Sequence, residues 1–232
     1  MISNHQIVAL GVVLIAWFGA PFESAQAEDS ASGPVGFVRL LHAVSAGTGK
    51  LELLIDGKSV RSDGYQLGNL TGGIALKAAS YKLVFRREGV TEGMTKVNVK
   101  ANDTTILIPF AEHIPATDKK PERWDIRILR LKQHESDDKR TASFVSVSRE
   151  PELKVEMRQV DGTWEAVFVE RLKVARTTIQ QARGYLSVRC MGRELSSVSV
   201  GAAGNFVSVL YEDEKGELRS KTFQDYKYLS AD

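Results

Sequence analysis

The sequence predicts an all-β protein built from two tandem antiparallel β-sandwich domains, of immunoglobulin-like or carbohydrate-module-like type. Apolar and polar residues alternate over short runs such as Val97-Asn98-Val99 and Val207-Ser208-Val209, and this two-residue period places the apolar members on one face of a strand. Asp56-Gly57 and Asp161-Gly162 suit the tight turns of β-hairpins. The same order of runs occurs twice along the chain, which indicates a duplicated module.

The N-terminal residues 1–27 predict a secretory signal peptide. The apolar stretch 7–20 is shorter than the roughly 20 residues of a membrane span, and Ala25-Gln26-Ala27 is a small-x-small motif that predicts cleavage after Ala27. We therefore expect the protein to be exported to the periplasm. No Lys or Arg precedes the apolar stretch, so an uncleaved N-terminal anchor is the alternative.

The two modules are predicted at residues 28–133 and 141–232, with a charged linker at 134–140. The corresponding segments of the two halves are offset by about 100 to 107 positions. They are Phe37–Leu40 with Phe144–Val147, Tyr81–Phe85 with Tyr185–Arg189, Val97–Val99 with Val198–Val200, and Thr105–Ile108 with Phe206–Val209.

Two segments with helix-like features are predicted not to be helices. The segment 172–182 has apolar residues at helical spacing, but its counterpart 68–73 is rich in glycine, so we predict a strand followed by a loop. The segment 114–123 contains Pro115 and Pro121 and is predicted to be a loop. Each module should then end in a hairpin, with Trp124–Ile128 pairing with Thr105–Phe110, and Leu218–Phe223 with Phe206–Tyr211.

Composition argues against several classes of function. The 31 basic and 29 acidic residues nearly cancel and are interspersed, which argues against nucleic acid as a partner. The single cysteine, Cys190, has no partner for an intramolecular disulfide. The acidic run Glu212-Asp213-Glu214 is interpreted as a solvated turn.

No catalytic, metal-binding or cofactor-binding residues are predicted. The chain contains no Gly-x-Ser-x-Gly turn, and no two histidines lie three or four residues apart. His42 follows a predicted strand, where it could reach a ligand at a module edge. The alternative is a structural histidine that is satisfied by a backbone carbonyl group.

Aromatic residues are the remaining candidates for a binding site, because exposed rings stack on the faces of sugars. Tyr81 and Tyr185 occupy equivalent positions in the two halves and are predicted to be core or corner residues. Trp124 and Trp164 lack such counterparts, so we predict contacts with a glycan or a partner for them and for His42. For both tryptophans, a place in the sandwich core is the alternative.

Several features together resemble the AlgF family of periplasmic accessory proteins for alginate O-acetylation. They are the signal peptide, the opening Phe37-Val38-Arg39, the second similar module and the ending 206–211. The resemblance covers about residues 34–227 and rests on the order, length and pattern of the strands. Each module, with His42-Ala43 and Asp56-Gly57, also resembles exported β-sandwich domains of unassigned function.

The AlgF resemblance implies a non-enzymatic accessory protein. Its implied partners are a membrane-bound O-acyltransferase, periplasmic acetyltransferases and, as a further candidate, the polysaccharide itself. It implies no catalytic residues and no cofactor. The loop 112–123 and the turn 212–214 are departures that would alter the choice of partners.

Three hypotheses follow from the sequence. The first is the adaptor role in O-acetylation of an exported, alginate-like polysaccharide. The second is envelope adhesion or carbohydrate binding without a role in acetylation. The third is an acetyl-transferring enzyme, which would need a hydroxyl or imidazole group such as that of His42.

Overall fold

The computed structural model describes residues 33–134, 140–159, 161–180, 184–195, 197–200, 205–225 and 228–231. These residues form β-strands, turns and loops, which confirms the predicted all-β fold class. Within them, no helix reaches the length and apolarity of a membrane span. The predicted signal peptide and residues 135–139 of the predicted linker lie outside the described residues, and the predicted domain boundaries stay a prediction.

The first half forms two sheets that meet at one point. Its strands are β1 (Val35–Leu40), β2 (Thr48–Ile55), β3 (Lys58–Ser59), β4 (Ile74–Lys77), β5 (Ser80–Glu88), β6 (Val90–Asn98), β7 (Thr104–Ile114) and β8 (Arg123–His134). The order β4-β1-β7-β8 defines the inner sheet of this half, and β3-β2-β5-β6 defines its outer sheet. The two sheets are joined where Thr91 of β6 pairs with Asp125 of β8.

The second half repeats this arrangement. Its strands are β9 (Thr141–Ser146), β10 (Glu152–Arg158), β11 (Trp164–Glu170), β12 (Val174–Thr178), β13 (Gly184–Leu186), β14 (Val188–Cys190), β15 (Arg193–Glu194), β16 (Val198–Val200), β17 (Asn205–Glu212), β18 (Leu218–Asp225) and β19 (Tyr228–Ala231). The inner sheet has the order β12-β9-β17-β18 and the outer sheet the order β11-β10-β14-β15. Strand β13 pairs with β16, and β19 returns to pair with β8.

The two inner sheets have the same pairing directions. In each of them the first strand pairs antiparallel with one neighbour and parallel with the other, β1 with β7 and β9 with β17. These parallel pairs depart from the predicted antiparallel sheets. They are possible because the strands between the two partners provide the long connection that a parallel pair requires.

The predicted turn at Asp56-Gly57, the predicted loops and the terminal hairpins agree with the structure, whereas Asp161-Gly162 lies in a longer connection between Arg158 and Trp164 in which Gly162 has a φ angle of 84° and Asp161 has no positive φ. Asp56 and Gly57 have φ angles of 48° and 81°, as a two-residue hairpin turn of type I′ requires. Residues 115–122 connect β7 to β8, and the segment 172–182 contributes the short strand β12. Strand β8 pairs with β7, and β18 pairs with β17.

Three clusters of buried apolar side chains hold the sheets together. One lies between the two sheets of the first half and contains Leu53 and Phe85, and a second lies between those of the second half and contains Phe144 and Val155. The third cluster, here called the shared layer, contains side chains from both inner sheets. Its members are Leu41, Ala43, Ile106, Ile108, Phe110, Leu129, Leu131, Val145, Val147, Val207, Val209, Tyr211 and Phe223.

The shared layer changes how the inner strands are buried. On β7, Ile108 belongs to the shared layer and Leu107 to the cluster of the first half. On β17, even Ser208 is only 2% exposed, and its hydroxyl group lies 2.9 Å from that of Thr222. The alternation Val207-Ser208-Val209 therefore does not separate a buried face from a solvated one, because both faces of this strand are covered.

Candidate functional site

The outer sheet of the second half exposes aromatic side chains. Strand β11 points Val169 into the core, so Trp164 and Phe168 point outwards, and Phe168 is 59% exposed. Tyr185 belongs to the short strand β13, which pairs with β16 outside this sheet. Leu186 and Val188 are buried, which leaves Tyr185 outward and 74% exposed. We call this surface the aromatic face. It consists of Trp164, Phe168 and Tyr185 with the neighbouring charged residues Lys154, Glu156, Arg158 and Arg189.

Charged groups flank the rings of the aromatic face. The Arg189 guanidinium carbon lies 4.0 Å from the centroid of the Trp164 ring, within the range of a cation–π contact. Arg189 Nε also donates a hydrogen bond of 2.8 Å to Glu156, and this bond is the main cause of the lowered pKa of the Glu156 carboxyl group. Lys154 is the cross-strand partner of Phe168, and Arg158 that of Trp164. Charged groups of both signs therefore lie beside the rings of Trp164 and Phe168.

A second candidate site is a groove beside Trp124. The cavity has a volume of about 530 Å³ and lies between the loop 45–49 and the turn 212–216, which connects β17 to β18. The Trp124 ring contacts the His113 ring at a centroid distance of 4.9 Å and is partly buried against the cluster of the first half. We call this cavity the Trp124 groove. Its volume is within the range of small-ligand sites.

Arg87 holds both walls of the Trp124 groove. Its side chain is 0% exposed and pairs with Glu214 at 2.5 Å. The same guanidinium group donates hydrogen bonds to the backbone carbonyl groups of Val44 and Thr48. One buried cation of β5 therefore fixes the loop of the first half and the acidic turn of the second half.

The other carboxylates of the turn are also engaged. Arg149 Nε donates a hydrogen bond of 2.6 Å to Glu212. Asp213 accepts bonds of 2.9 Å from the amides of Lys215 and Glu217, and one of 2.8 Å from Arg219 Nε. Burial opposes ionisation of Asp213, but these donors outweigh it and lower the pKa of the carboxyl group. The acidic turn is therefore an ordered part of the groove, and no local pattern in the sequence indicates its arginine partners.

The predicted contact residues lie in different places. Trp124 lines the groove and Trp164 lies on the aromatic face, and both are half-buried. His42 does not reach a surface, because its side chain is fully buried. Its Nδ1 atom accepts a hydrogen bond of 3.1 Å from the Val44 amide, and no partner of Nε2 is found within the described residues. The sequence suggested two roles for His42, a ligand contact at a module edge and a bond to a backbone carbonyl group. The structure shows instead a buried ring that accepts a bond from a backbone amide.

Two aromatic residues of the aromatic face were missed by the sequence analysis. The prediction that Tyr185 is a core or corner residue is wrong, since its ring is among the most exposed apolar side chains described. Phe168 was not singled out. The sequence does contain a pattern that indicates its exposure. Trp164, Ala166 and Phe168 alternate with Val167 and Val169, so they lie on the face of β11 opposite to that of the two valines.

A third concave surface lies beside Met94, which is 61% exposed. It has a volume of about 1050 Å³ and is lined by residues 91–95 of β6 and 125–130 of β8, together with Leu172 and Lys173. We call it the Met94 groove. Glu92, Asp125 and Lys173 give it charges of both signs.

Comparisons with known proteins identify no family. No protein-family model matches the chain, and no curated protein matches it. Among solved structures, the chain is similar to a carbohydrate-binding module, "CBMbc (family CBM26) from Eubacterium rectale Amy13K in Complex with Maltoheptaose", with 9% sequence identity and a TM-score of 0.24. The match covers 83% of this chain and 97% of that module. A TM-score of this size carries no inference about function.

Proposed function

We propose that this protein is a non-catalytic, exported accessory protein that binds a polysaccharide on its aromatic face. One observation carries the proposal, namely that Phe168 of β11 and Tyr185 of β13 are 59% and 74% exposed and, like Trp164, point away from the buried cluster of the second half. Periplasmic export rests on the predicted signal peptide.

Elementary chemistry relates these side chains to sugars. An exposed ring keeps apolar area in water, and stacking on the C–H face of a sugar removes that area from water without forming a covalent bond. Lys154, Glu156 and Arg158 lie between or beside the rings, where they can exchange hydrogen bonds with hydroxyl groups. A β-sheet surface with rings and polar groups is suited to a long chain of sugars.

The test removes two rings that contribute nothing to the core. We expect Phe168→Ala with Tyr185→Ala to weaken retention of the protein in polysaccharide-containing native gels by about tenfold, since a ring contact contributes about 0.5–1.5 kcal/mol beyond burial. Met94→Ala is the matched control, because Met94 is as exposed but lies on the first half. Equal retention of the double variant and the control would contradict binding on this face.

A second candidate function is the adaptor role in polysaccharide O-acetylation. The AlgF resemblance supports it, and the Met94 groove supplies a surface with an exposed methionine and charges of both signs. Methionine and arginine are enriched at protein interfaces. A membrane-bound O-acyltransferase and periplasmic acetyltransferases are the proposed partners.

The adaptor role is tested in a strain that makes an acetylated polymer. We expect deletion of the gene to lower the acetyl content of the exported polymer, and Met94→Glu to reproduce that loss with the protein still folded. Met191→Glu is the control, because Met191 is an exposed methionine that lies outside both the Met94 groove and the aromatic face. Unchanged acetyl content after deletion would rule out the role.

A further inference from the structure

We infer that the Met94 groove is a site of strand addition, in which an extended, acidic peptide segment of a partner protein pairs with the strand edges that line the groove. The inference deepens the adaptor role, on which it rests for the identity of the partner, by naming the kind of segment that this surface takes. It involves no residue of the aromatic face.

The first step is that strand edges border the groove. Residues 91–95 of β6 and 125–130 of β8 line it without interruption. The face of a strand would contribute only every second residue, because successive side chains point to opposite faces. A wall of consecutive residues is therefore the edge of a strand, where the backbone N–H and C=O groups lie.

The second step is that these edges are unpaired. Strand β6 pairs with β5 on one side, and on its other side it meets β8 only where Thr91 pairs with Asp125. Past this junction, among the residues that the structure describes, no strand pairs with residues 94–98 of β6 on that side or with residues 127–130 of β8 on the side away from β7. Both edges therefore present backbone donors and acceptors to the groove.

The third step is the shape of the groove. The two strands leave the junction in the same direction and are still in contact at Gly93, where an added Cβ atom would lie 2.7 Å from the carbonyl oxygen of Ile126. This contact closes one end. The groove has a volume of about 1050 Å³, at the upper end of the range for small-ligand sites, so it has room for a segment longer than a single residue.

The fourth step identifies a polypeptide as the ligand. Strand β19 already pairs antiparallel with β8 from Leu131 to His134, on the side away from β7. A segment in the groove would continue this line of pairing along the same edge, towards Arg127. An extended peptide has alternating donors and acceptors at the spacing that a strand edge requires.

The fifth step is the charge of the groove. Arg127 and Arg130 line it, and no ion pair of either arginine is found among the described residues. Every other charged side chain of the groove is in an ion pair, namely Glu92 with Arg86, Glu112 with Arg171, Asp125 with Arg123 and Lys173 with Glu170. These pairs neutralise each other and the two arginines remain, which favours carboxylates in the incoming segment.

The experiment measures binding of synthetic peptides to the full chain by calorimetry. The probe has alternate glutamate and valine residues, blocked ends and a length of about six residues, which is usual for a strand. One comparison peptide has lysine in place of glutamate. The other has the sequence of the probe with its amide nitrogens methylated, so that neither edge can donate a hydrogen bond.

We expect the acidic peptide to bind, the lysine peptide to bind about tenfold more weakly or less, and the methylated peptide to show no binding. The inference is overturned if the acidic peptide does not bind at concentrations up to about 1 mM, or if either comparison peptide binds equally well.

Hydrogen exchange and variants locate the site. We expect the acidic peptide to slow exchange of amides in residues 94–98 and 127–130, and Arg127→Gln to weaken its binding about fivefold, the upper range for an exposed ion pair. Arg193→Gln is the matched control, since Arg193 is an exposed arginine outside the groove. Slowed exchange only at another edge, such as β4, or an equal effect of Arg193→Gln would overturn the assignment.

The outcome is distinguishable from that of the adaptor role. Peptide binding is measured on the purified protein, whereas the adaptor role is measured as the acetyl content of the polymer after deletion of the gene. If the acidic peptide binds in the groove and deletion leaves acetyl content unchanged, the adaptor role fails and strand addition stands. If deletion lowers acetyl content and the peptide does not bind, the adaptor role stands and the inference fails.

Discussion

His42 shows how one buried side chain links local structure to the stability of the whole chain. Burial is the main reason that its pKa falls from 6.5 to about 3, and the positive charge of Arg87 adds to the effect. The imidazole group is therefore neutral in the folded protein at pH 7. Its Nδ1 atom must then be the unprotonated acceptor of the Val44 amide, which places the proton on Nε2.

This shift predicts a pH dependence of stability. Between pH 6.5 and about 3 the unfolded chain binds a proton at His42 that the folded chain does not, so the free energy of unfolding falls as the pH is lowered through this window. We expect a loss of about 2 kcal/mol between pH 6.5 and pH 5 from this residue, at about 1.4 kcal/mol per pH unit. Urea titrations at several pH values measure it.

His42→Asn is the variant that checks the origin of this slope. The asparagine keeps an acceptor for the Val44 amide and does not titrate. It should lower stability at pH 7, because it is smaller, and make the dependence between pH 5 and 7 shallower. A His42→Asn slope equal to that of the unaltered protein would show that other groups cause it. His113→Asn, which changes a half-exposed histidine, is the control.

At the scale of single residues, the sequence indicated which kinds of side chain could form a binding site better than it indicated which of them are exposed. Trp124 and Trp164 were selected because they have no counterparts in the repeat, and both lie on candidate sites. The same repeat argument failed for Tyr185. Equivalent positions share backbone register, but whether a side chain is covered depends on what packs above the strand. For His42, a short peptide segment carries no information about the Arg87 charge that lies 45 positions away.

At the scale of strands, Gly93 explains how the two sheets of the first half join. A Cβ atom at this position would lie 2.7 Å from both the carbonyl oxygen and the Cγ2 atom of Ile126. Only a residue without a side chain lets β6 approach β8 this closely, near the point where Thr91 pairs with Asp125. Gly93 and Ile126 also line the Met94 groove.

We therefore expect Gly93→Ala to be destabilising by about 1–3 kcal/mol, as in other cases of overpacking. The contact involves backbone on β8, so the neighbour cannot rotate away as a long side chain would. Gly72→Ala is the matched control, because an added Cβ atom there meets nothing within 4 Å. Urea unfolding of the two variants provides the comparison, and equal stabilities would contradict the packing argument.

Short-range signals predicted the strands well, and long-range pairings less so. The turn at Asp56-Gly57 and the two terminal hairpins depend on neighbouring residues, and the sequence was sufficient for them. The parallel pairs β1–β7 and β9–β17 join distant segments, and no local pattern indicates their direction. The arginine partners of the acidic turn belong to the same class, since Arg87 and Glu214 are 127 positions apart.

At the scale of the whole molecule, the shared layer makes the stabilities of the two halves depend on each other. Repetition of sequence predicts two modules, but it does not tell which strand faces are covered by the other module. Ile108 and Val209 are both 0% exposed within the shared layer. Separation of the two inner sheets would expose these side chains to water, at a cost of about 25 cal/mol for each Å² of apolar surface.

We expect the two halves to unfold in one transition, and Ile108→Ala to lower the free energy of unfolding by about 2–5 kcal/mol in both halves. The reason is that the removed methyl groups face the second half, although Ile108 belongs to the first. Hydrogen exchange followed by mass spectrometry measures each half separately, with amides of β5 reporting on the first half and those of β10 on the second. Leu53→Ala, in the cluster of the first half alone, tests the same coupling from a different cavity. If either variant accelerates exchange in β5 while β10 keeps its full protection, the halves are independent modules and the shared layer is a contact between separately stable domains.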